Sequence, residues 1–367
     1  MKNVDVLGLY SSTYAEAREK FLTACQTAGL EVEHHVNPER GVDGEELATD
    51  VARLGAADAS KVMLLSSGTH GVEGFCGSAI QTGLLRSRDE LALPDDVAIV
   101  FVHAVNPHGM SWSRRETEEG VDVTRNLSHH KYDPMPNPDY ELLRDLLVPE
   151  KISEETLREI NRAAAALMAD RPRDWITRTL RIGQYTHPEG LTYHGLTACW
   201  STQCWIEAAG NHVSQADRVM IIDLHTGYGE YGALLTQNPS YRKTSPPFAH
   251  LQKWLGEDPA GFSDDGSIIE HRIETFEALH EQCRPGAEVA AMYFEFGTVT
   301  MEDYINAWIM NNWLYLYGDR SSERAARARA AFAHLFYVRE DGWKKSVWQN
   351  GWGKIQQLIG SLASPVR

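Results

Sequence analysis

The chain has 367 residues, with 51 acidic against 35 basic side chains and a formal net charge of −16 at pH 7. Hydrophobic residues at 43% and charged residues at 23% are ordinary for a folded protein and exclude a disordered chain. A sequence pI near 5.4 leaves no basic face, so nucleic acid is excluded as a partner. Five scattered cysteines (Cys25, Cys76, Cys199, Cys204, Cys283) form no C-x-x-C pair. That excludes a disulfide scaffold and a thiolate metal site and fits a reducing compartment. The N-terminus lacks a signal-peptide pattern, and no window approaches the roughly 18 apolar residues of a membrane span, so a cytoplasmic protein without a membrane partner is expected.

Taken in chain order, YAEAREKFLTACQTAG (14–29) carries apolar residues at helical spacing and stops at Gly29. Residues 44–54 read as a second helix. VMLLSSG (62–68) is a buried strand, followed by a glycine-punctuated turn from 71 that runs into a helix ending near 86. VAIVFVHAV (97–105) is another buried strand, closed by the turn-forming NPHG at 106–109. Two helical patterns come next, at 154–169 and 172–180, then the polar aromatic loop GQYTHPEGLTYHG (183–195). RVMIIDLH (218–225) and EVAAMYFEFG (288–297) complete four apolar strands. The stretch 302–363 is mostly helical, and its tryptophans (Trp308, Trp313, Trp343, Trp348, Trp352) read as core rather than interface. Apolar strands alternating with helices imply an α/β fold, a mostly parallel or mixed central sheet with helices on both faces. No linker, charge block or repeat divides the chain. One α/β unit over 1–367 is therefore expected, with a helical insertion at about 138–216 and a helical C-terminal region at about 302–363.

In open α/β sheets ligands bind beyond the carboxyl ends of the strands, and polar residues collect there in this sequence. His70-x-x-Glu73 follows the first strand and places an imidazole and a carboxylate one turn apart; a turn histidine beside a helix-start glutamate is the plainer alternative. His225, at the end of the third strand, offers a second imidazole. Two histidines and a glutamate are a donor set for catalytic zinc, with an open position for water. Asp223, two residues earlier on the same strand face, either orients that imidazole or makes a structural hydrogen bond. Glu295 stands in an otherwise apolar strand and must be paired, metal-bound or neutralised, which suits a general base; pairing with an arginine is the alternative. Arg115 and Arg125 offer planar forks for a carboxylate or oxyanion, or surface salt bridges. Residues 227–232 match G-x-G-x-x-G after a strand, but the segment ALLTQNPSYRKTSPP beyond them is a poor helix former, so dinucleotide binding is not expected. His129, His130 and His187 read as surface histidines rather than a second metal site.

Together these segments resemble the zinc carboxypeptidase superfamily, with the carboxypeptidase A and succinylglutamate desuccinylase/aspartoacylase types and an uncharacterised bacterial branch as the nearest groups. SSGTHGVEGFCGSAIQ (66–81) resembles that branch's zinc loop. NPHGM (106–110) is similar to the superfamily's N-P-x-G turn, RRETEEGVDVTRN (114–126) to its arginine segment, DLHTG (223–227) to its third-ligand strand and FEFGT (294–298) to its catalytic-glutamate strand. The resemblance implies one Zn2+ per chain on His70, Glu73 and His225, with Glu295 as general base. It makes Arg115 the group that polarises the scissile carbonyl, and Arg125, Asn126 and Tyr228 substrate-binding residues. Thr124 stands where the family has an asparagine that contacts the substrate carboxylate. Tyr228, Tyr185 and Tyr193 are equal candidates for the family's mobile tyrosine. The function implied is a zinc-dependent amide hydrolase acting on a small N-acyl amino acid or a peptide end. The alternatives are a metallocarboxypeptidase acting on peptide C-termini and a non-catalytic metal- or ligand-binding protein. The partner is a small-molecule or peptide substrate, and self-association into a homo-oligomer is left open.

Overall fold

Seven strands form one mixed sheet in the computed structural model, which describes residues 4–129, 133–238, 241, 244–259, 275–299 and 304–364. They are β1 (Val32–Arg40), β2 (Glu46–Leu54), β3 (Lys61–Ser67), β4 (Val97–His103), β5 (Arg218–Tyr231), β6 (Leu234–Gln237) and β7 (Glu288–Gly297), in spatial order β1-β2-β4-β3-β5-β7-β6. The four central strands β4, β3, β5 and β7 run parallel and are the four apolar runs of the sequence. Each is covered on both faces, which explains why they lack alternation. The expected helix over 44–54 is instead β2, antiparallel between β1 and β4. Leu47 to Ala52 are fully buried there, and ladders on both edges outweigh the helix propensity of ELATDVARL. β1 escaped the sequence reading because it is an edge strand with a mostly solvated, polar sequence. Pro38 is tolerated in it, where the pairing shifts register between Val36 and Arg40.

The helices, in chain order, are α1 (Tyr14–Thr27), α2 (Gly74–Arg86), α3 (Pro107–Trp112), α4 (Val123–Asn126), α5 (Pro138–Leu147), α6 (Glu154–Met168), α7 (Trp175–Ile182), α8 (Trp200–Val213), α9 (Pro246–Leu255), α10 (Glu277–His280), α11 (Tyr304–Leu316), α12 (Glu323–Phe336) and α13 (Asp341–Ala363). Thr13 caps α1 by accepting from Glu16 N at 3.2 Å, and Gly29, at φ +70°, takes the chain out of it. α1, α2, α9 and α13 cover one face of the sheet, and α8 with α10 the other. α13 drives Trp343, Trp348 and Trp352 into the core, as expected for core residues. The segment 138–216, expected as an insertion, carries α5 to α8. With α11 and α12, α5 to α7 enclose a second apolar cluster around Tyr140, Leu147, Trp308 and Phe332. Among the described residues no helix is long and apolar enough to cross a membrane, and all five cysteines are unpaired.

The turn between β3 and α2 lies against α3 so closely that a Cβ on Gly71 would collide with the backbone of Gly109 and Met110. Gly71→Ala is therefore expected to lower unfolding free energy by about 3 kcal/mol, the upper range for overpacking. The check is the denaturant midpoint at constant m-value; an unchanged midpoint would show that the two segments are not locked together.

Candidate metal centre

The candidate site is built where three parallel strands end. β3 releases the chain through Gly68, at φ +68°, into Thr69 and His70, and a single 3-10 turn over Gly71–Glu73 leads directly into α2. That turn brings His70 Nδ1 to 3.0 Å from Glu73 Oε1. From β5, His225 Nδ1 reaches 2.8 Å from Glu73 Oε2, and the two imidazole rings stand 4.8 Å apart, edge to face. One ligand atom from each of His70, Glu73 and His225 lies within 4.8 Å of the others, and all three side chains are buried. Histidines 155 residues apart in sequence thus meet at one carboxylate.

Each imidazole is held from behind by a second carboxylate. His225 Nε2 lies 2.6 Å from Asp223 Oδ2, while Asp223 Oδ1 accepts from the hydroxyls of Ser66 (2.7 Å) and Thr69 (2.8 Å). Asp223 therefore both orients the ring and is structurally bonded, the two roles the sequence left open. His70 Nε2 lies 3.3 Å from Asp122 Oδ1 and 3.1 Å from Thr124 Oγ1. Both rings therefore turn Nδ1 toward Glu73 and Nε2 toward the carboxylate behind them. Asp122 escaped the sequence reading. Its only signal was its place two residues before Thr124 in DVTRN.

The segment carrying the arginines is fastened to the ligand turn. Val72 N donates to Arg114 O at 2.8 Å, and Asn106, which caps α3 by accepting from Gly109 N, also donates to Arg115 O at 3.3 Å. Arg115 then donates to Glu73 Oε1 at 3.2 Å and to Asp122 Oδ2 at 3.3 Å. Arg125 donates through Nη1 to Asp122 Oδ2, and through Nη2 to the carbonyls of Leu180 (3.3 Å) and Arg181 (3.0 Å), the last turn of α7. It ties α7 to the site.

Burial opposes charge on Glu73, but the flanking His70 and His225 outweigh it and hold the carboxyl below its usual range. Burial likewise opposes a charged His225, and the carboxylates of Asp223 and Glu73 push its pKa well up. Asp122, despite burial, is held well below its usual value by Arg125, His70 and Arg115. Glu295 is the exception among the carboxyls. Burial, then the neighbouring Glu73, raises it to about 7. It stands directly opposite His225 in the β5–β7 register and accepts from Tyr228 N at 2.9 Å. Among the described residues, no arginine donates to Glu295 in place of the partner the sequence allowed for.

A cavity of about 550 Å³ opens from this cluster, lined by His70, Glu73, Arg115, Arg125, His225, Tyr228 and Glu295 among others. Asn126 does not line it. Its amide donates to the carbonyls of His194 and Thr197 and accepts from Cys199 N, so it pins the 194–199 loop. Of the three candidate tyrosines only Tyr228 faces the cavity; Tyr185 packs on His194, and Tyr193 bridges Val121 and Gln184. Tyr304, at the start of α11, also lines the cavity and was not singled out in the sequence. The G-x-G-x-x-G match at 227–232 is the end of β5 and its turn into β6, with no helix to receive a pyrophosphate. His129 and His187 bond to Asn126 O and Glu141, away from the cluster, and His130 lies outside the described residues.

Two imidazoles with their outer nitrogens occupied, plus one ionised carboxylate, are a donor set that fits a divalent cation with open positions left for water or substrate. Fold and site together thus define an α/β protein with a buried His–Glu–His candidate metal centre at the carboxyl edge of its sheet. The chain belongs to the family described as "Protein of unknown function (DUF2817)", whose model matches residues 10–350. No curated protein matches it. Similar solved structures include carboxypeptidase A from Helicoverpa armigera (10% identity, 90% of this chain and 75% of that chain, TM-score 0.46). A metallo-carboxypeptidase from Pseudomonas aeruginosa shows 14% identity over 91% and 69% of the two chains, at a TM-score of 0.40. A Shewanella frigidimarina protein assigned as a succinylglutamate desuccinylase/aspartoacylase shows 15% identity over 79% and 72%, at 0.34. These are the groups the sequence motifs resemble. At such TM-scores the likeness carries no weight for the chemistry, which rests on the side chains described above.

Proposed function

We propose that the protein is a zinc-dependent hydrolase that cleaves an amide bond of a small N-acyl amino acid or peptide end. The observation that carries this reading is the convergence of His70, Glu73 and His225, each imidazole backed by a carboxylate, with Glu295 at about 7 on the neighbouring strand. His70 Nδ1, His225 Nδ1 and the Glu73 carboxylate would hold one cation. When bound, that cation supplies Lewis acidity, which polarises a carbonyl and brings the pKa of water down to roughly 7. Glu295 takes the proton of the attacking water on its carboxylate and returns it to the leaving nitrogen. Arg115, held by Asp122 and Glu73, directs guanidinium N–H groups at the carbonyl oxygen as negative charge develops, a contribution of roughly 10²–10³ in rate for one good donor. Tyr228 and Tyr304 line the space that the substrate would occupy.

Both terminal nitrogens of Arg125 are engaged by Asp122 and the α7 carbonyls, and Thr124 bonds to Asp122 and His70, so the carboxylate that an N-acyl amino acid or a peptide end carries beside the scissile amide meets neither of them in this arrangement. A module without chemistry gains nothing from a buried glutamate with a raised pKa beside two histidines. The reading is tested by metal analysis of purified protein and by hydrolysis of an acyl-amino-acid panel with and without chelator. Chelator-sensitive turnover is expected; full turnover after complete metal removal would end it.

The same residues carry two more expected outcomes. Asp122→Asn keeps the shape but removes the charge behind His70, so zinc affinity is expected to fall roughly 10–100-fold, measured by competition with a chromogenic chelator. Unchanged affinity would remove Asp122 from the centre. Glu295 acts only when ionised, so kcat/KM should fall as pH drops through its pKa. That value is about 7 without a cation and lower with one beside it, which places the acid limb at or below 7. Glu295→Gln should abolish that limb along with the turnover, and a limb surviving in residual activity would assign it to another group.

A further inference from the structure

The cavity has two chemically different ends. One is the ligand cluster with Arg115 and Glu295. The other is a largely apolar wall made by α5 to α7 and α11: Leu146 and Leu147 of α5, Ile160 of α6, Ile176 of α7, and Ile305 and Ile309 of α11, interrupted by the uncharged Asn161, Thr177 and Asn306. The charged groups that line the cavity do not serve that wall. Glu73, Arg115 and Glu295 belong to the centre, and Arg125 spends both terminal nitrogens on Asp122 and the last turn of α7. The remaining one, Arg181, is exposed and lies 5.7 Å over the ring of the half-exposed Tyr228. Arg125 also fixes where the wall is. It bonds the α7 terminus to the carboxylate behind His70, so the apolar end begins one side chain away from the centre.

We infer that the substrate carries a bulky apolar substituent, a medium-length aliphatic chain or an aromatic ring, on one side of the scissile amide and no second carboxylate there. The inference rests on the hydrolase reading above and narrows its substrate class. An apolar chain entering this end leaves water for mostly apolar side chains, whereas a carboxylate placed among them would be desolvated with only the uncharged Asn161, Thr177 and Asn306 to bond it. Each methylene that reaches the wall should raise kcat/KM about fourfold.

The test uses the full-length, zinc-loaded protein and two substrate series. One varies the acyl group on alanine (acetyl, hexanoyl, octanoyl, succinyl); the other varies the amino acid under a fixed acetyl group (alanine, leucine, phenylalanine, aspartate). In at least one series kcat/KM should climb with apolar size, and the dianionic member should lie below the smallest monoanionic one. Ala164→Trp, which fills the α6 side of the wall, should reduce the ratio of large to small apolar substrates through KM. A preference for the succinyl or aspartyl member, or flat profiles in both series, would overturn the inference while leaving a hydrolase. Should no compound be hydrolysed, calorimetric binding of the same compounds to the zinc-loaded protein decides. Tighter binding of octanoyl or phenylalanyl members upholds the apolar end without the hydrolase, and binding led by charged members, or none at all, overturns it.

Discussion

Glu295→Gln is expected to lower kcat by roughly 10²–10⁴-fold, the range for loss of a positioned general base, while the bound metal stays in place. Gln is close to Glu in shape and still offers a carbonyl oxygen to Tyr228 N, which Glu295 now bonds at 2.9 Å, so the β5–β7 edge should remain intact. What it cannot do is gain and release a proton. The carboxyl is suited to that exchange because burial and the nearby Glu73 raise it above the usual carboxylate range, to about 7 before a cation is bound. The substitution therefore separates chemistry from architecture. Retained metal with lost turnover supports the assigned role. Retained turnover would make Glu295 a structural partner of the β5–β6 turn, and lost metal would place it among the ligands.

The second large effect belongs to His225. His225→Ala removes one of three donors, so zinc affinity should fall by more than the roughly 10–100-fold expected for a supporting residue, and turnover should disappear with it. It also strips the shared partner from two buried carboxylates. Asp223 keeps the Ser66 and Thr69 hydroxyls, and Glu73 keeps Arg115 and Thr226 N, but both lose the imidazole between them. Breaking a buried charged pair from one side costs about 3–5 kcal/mol, so the metal-free variant should also unfold at distinctly lower denaturant. If stability fell but zinc affinity did not, the imidazole would be a bridge between carboxylates and nothing more.

The sequence disclosed the parts of this molecule that obey local rules. β3, β4, β5 and β7 are apolar on both faces and bounded by turn residues, so they stood out as runs. Because ligands gather where such strands end, His70, Glu73, His225 and Glu295 could be picked from position before any contact was known. β1 and β2 could not. Their conformation is imposed by pairing, with β2 a fair helix former until neighbours on both sides claim its backbone, and β1 polar because it is an edge. Asp122 was hidden for a different reason. A buried aspartate in DVTRN looks like any turn residue until the chain folds it beneath His70, Arg115 and Arg125. Arg125 shows the converse, for its guanidinium suggested a grip on substrate, and its partners proved to be Asp122 and the carbonyls of α7. The cavity's apolar end was beyond reach, since it is assembled where three consecutive helices, α5 to α7, meet the sequence-distant α11, a contact that no local pattern reports.

One cation held by His70, Glu73 and His225 is the centre of the proposed chemistry, and X-ray absorption at the zinc edge of the loaded protein tests it most directly. One equivalent per chain is expected, with two imidazole nitrogens at about 2.0–2.1 Å, oxygen donors completing the shell and no sulfur. The imidazole contribution should drop in His225→Ala. Substoichiometric binding, a sulfur shell, or an unaltered spectrum in that variant would contradict it.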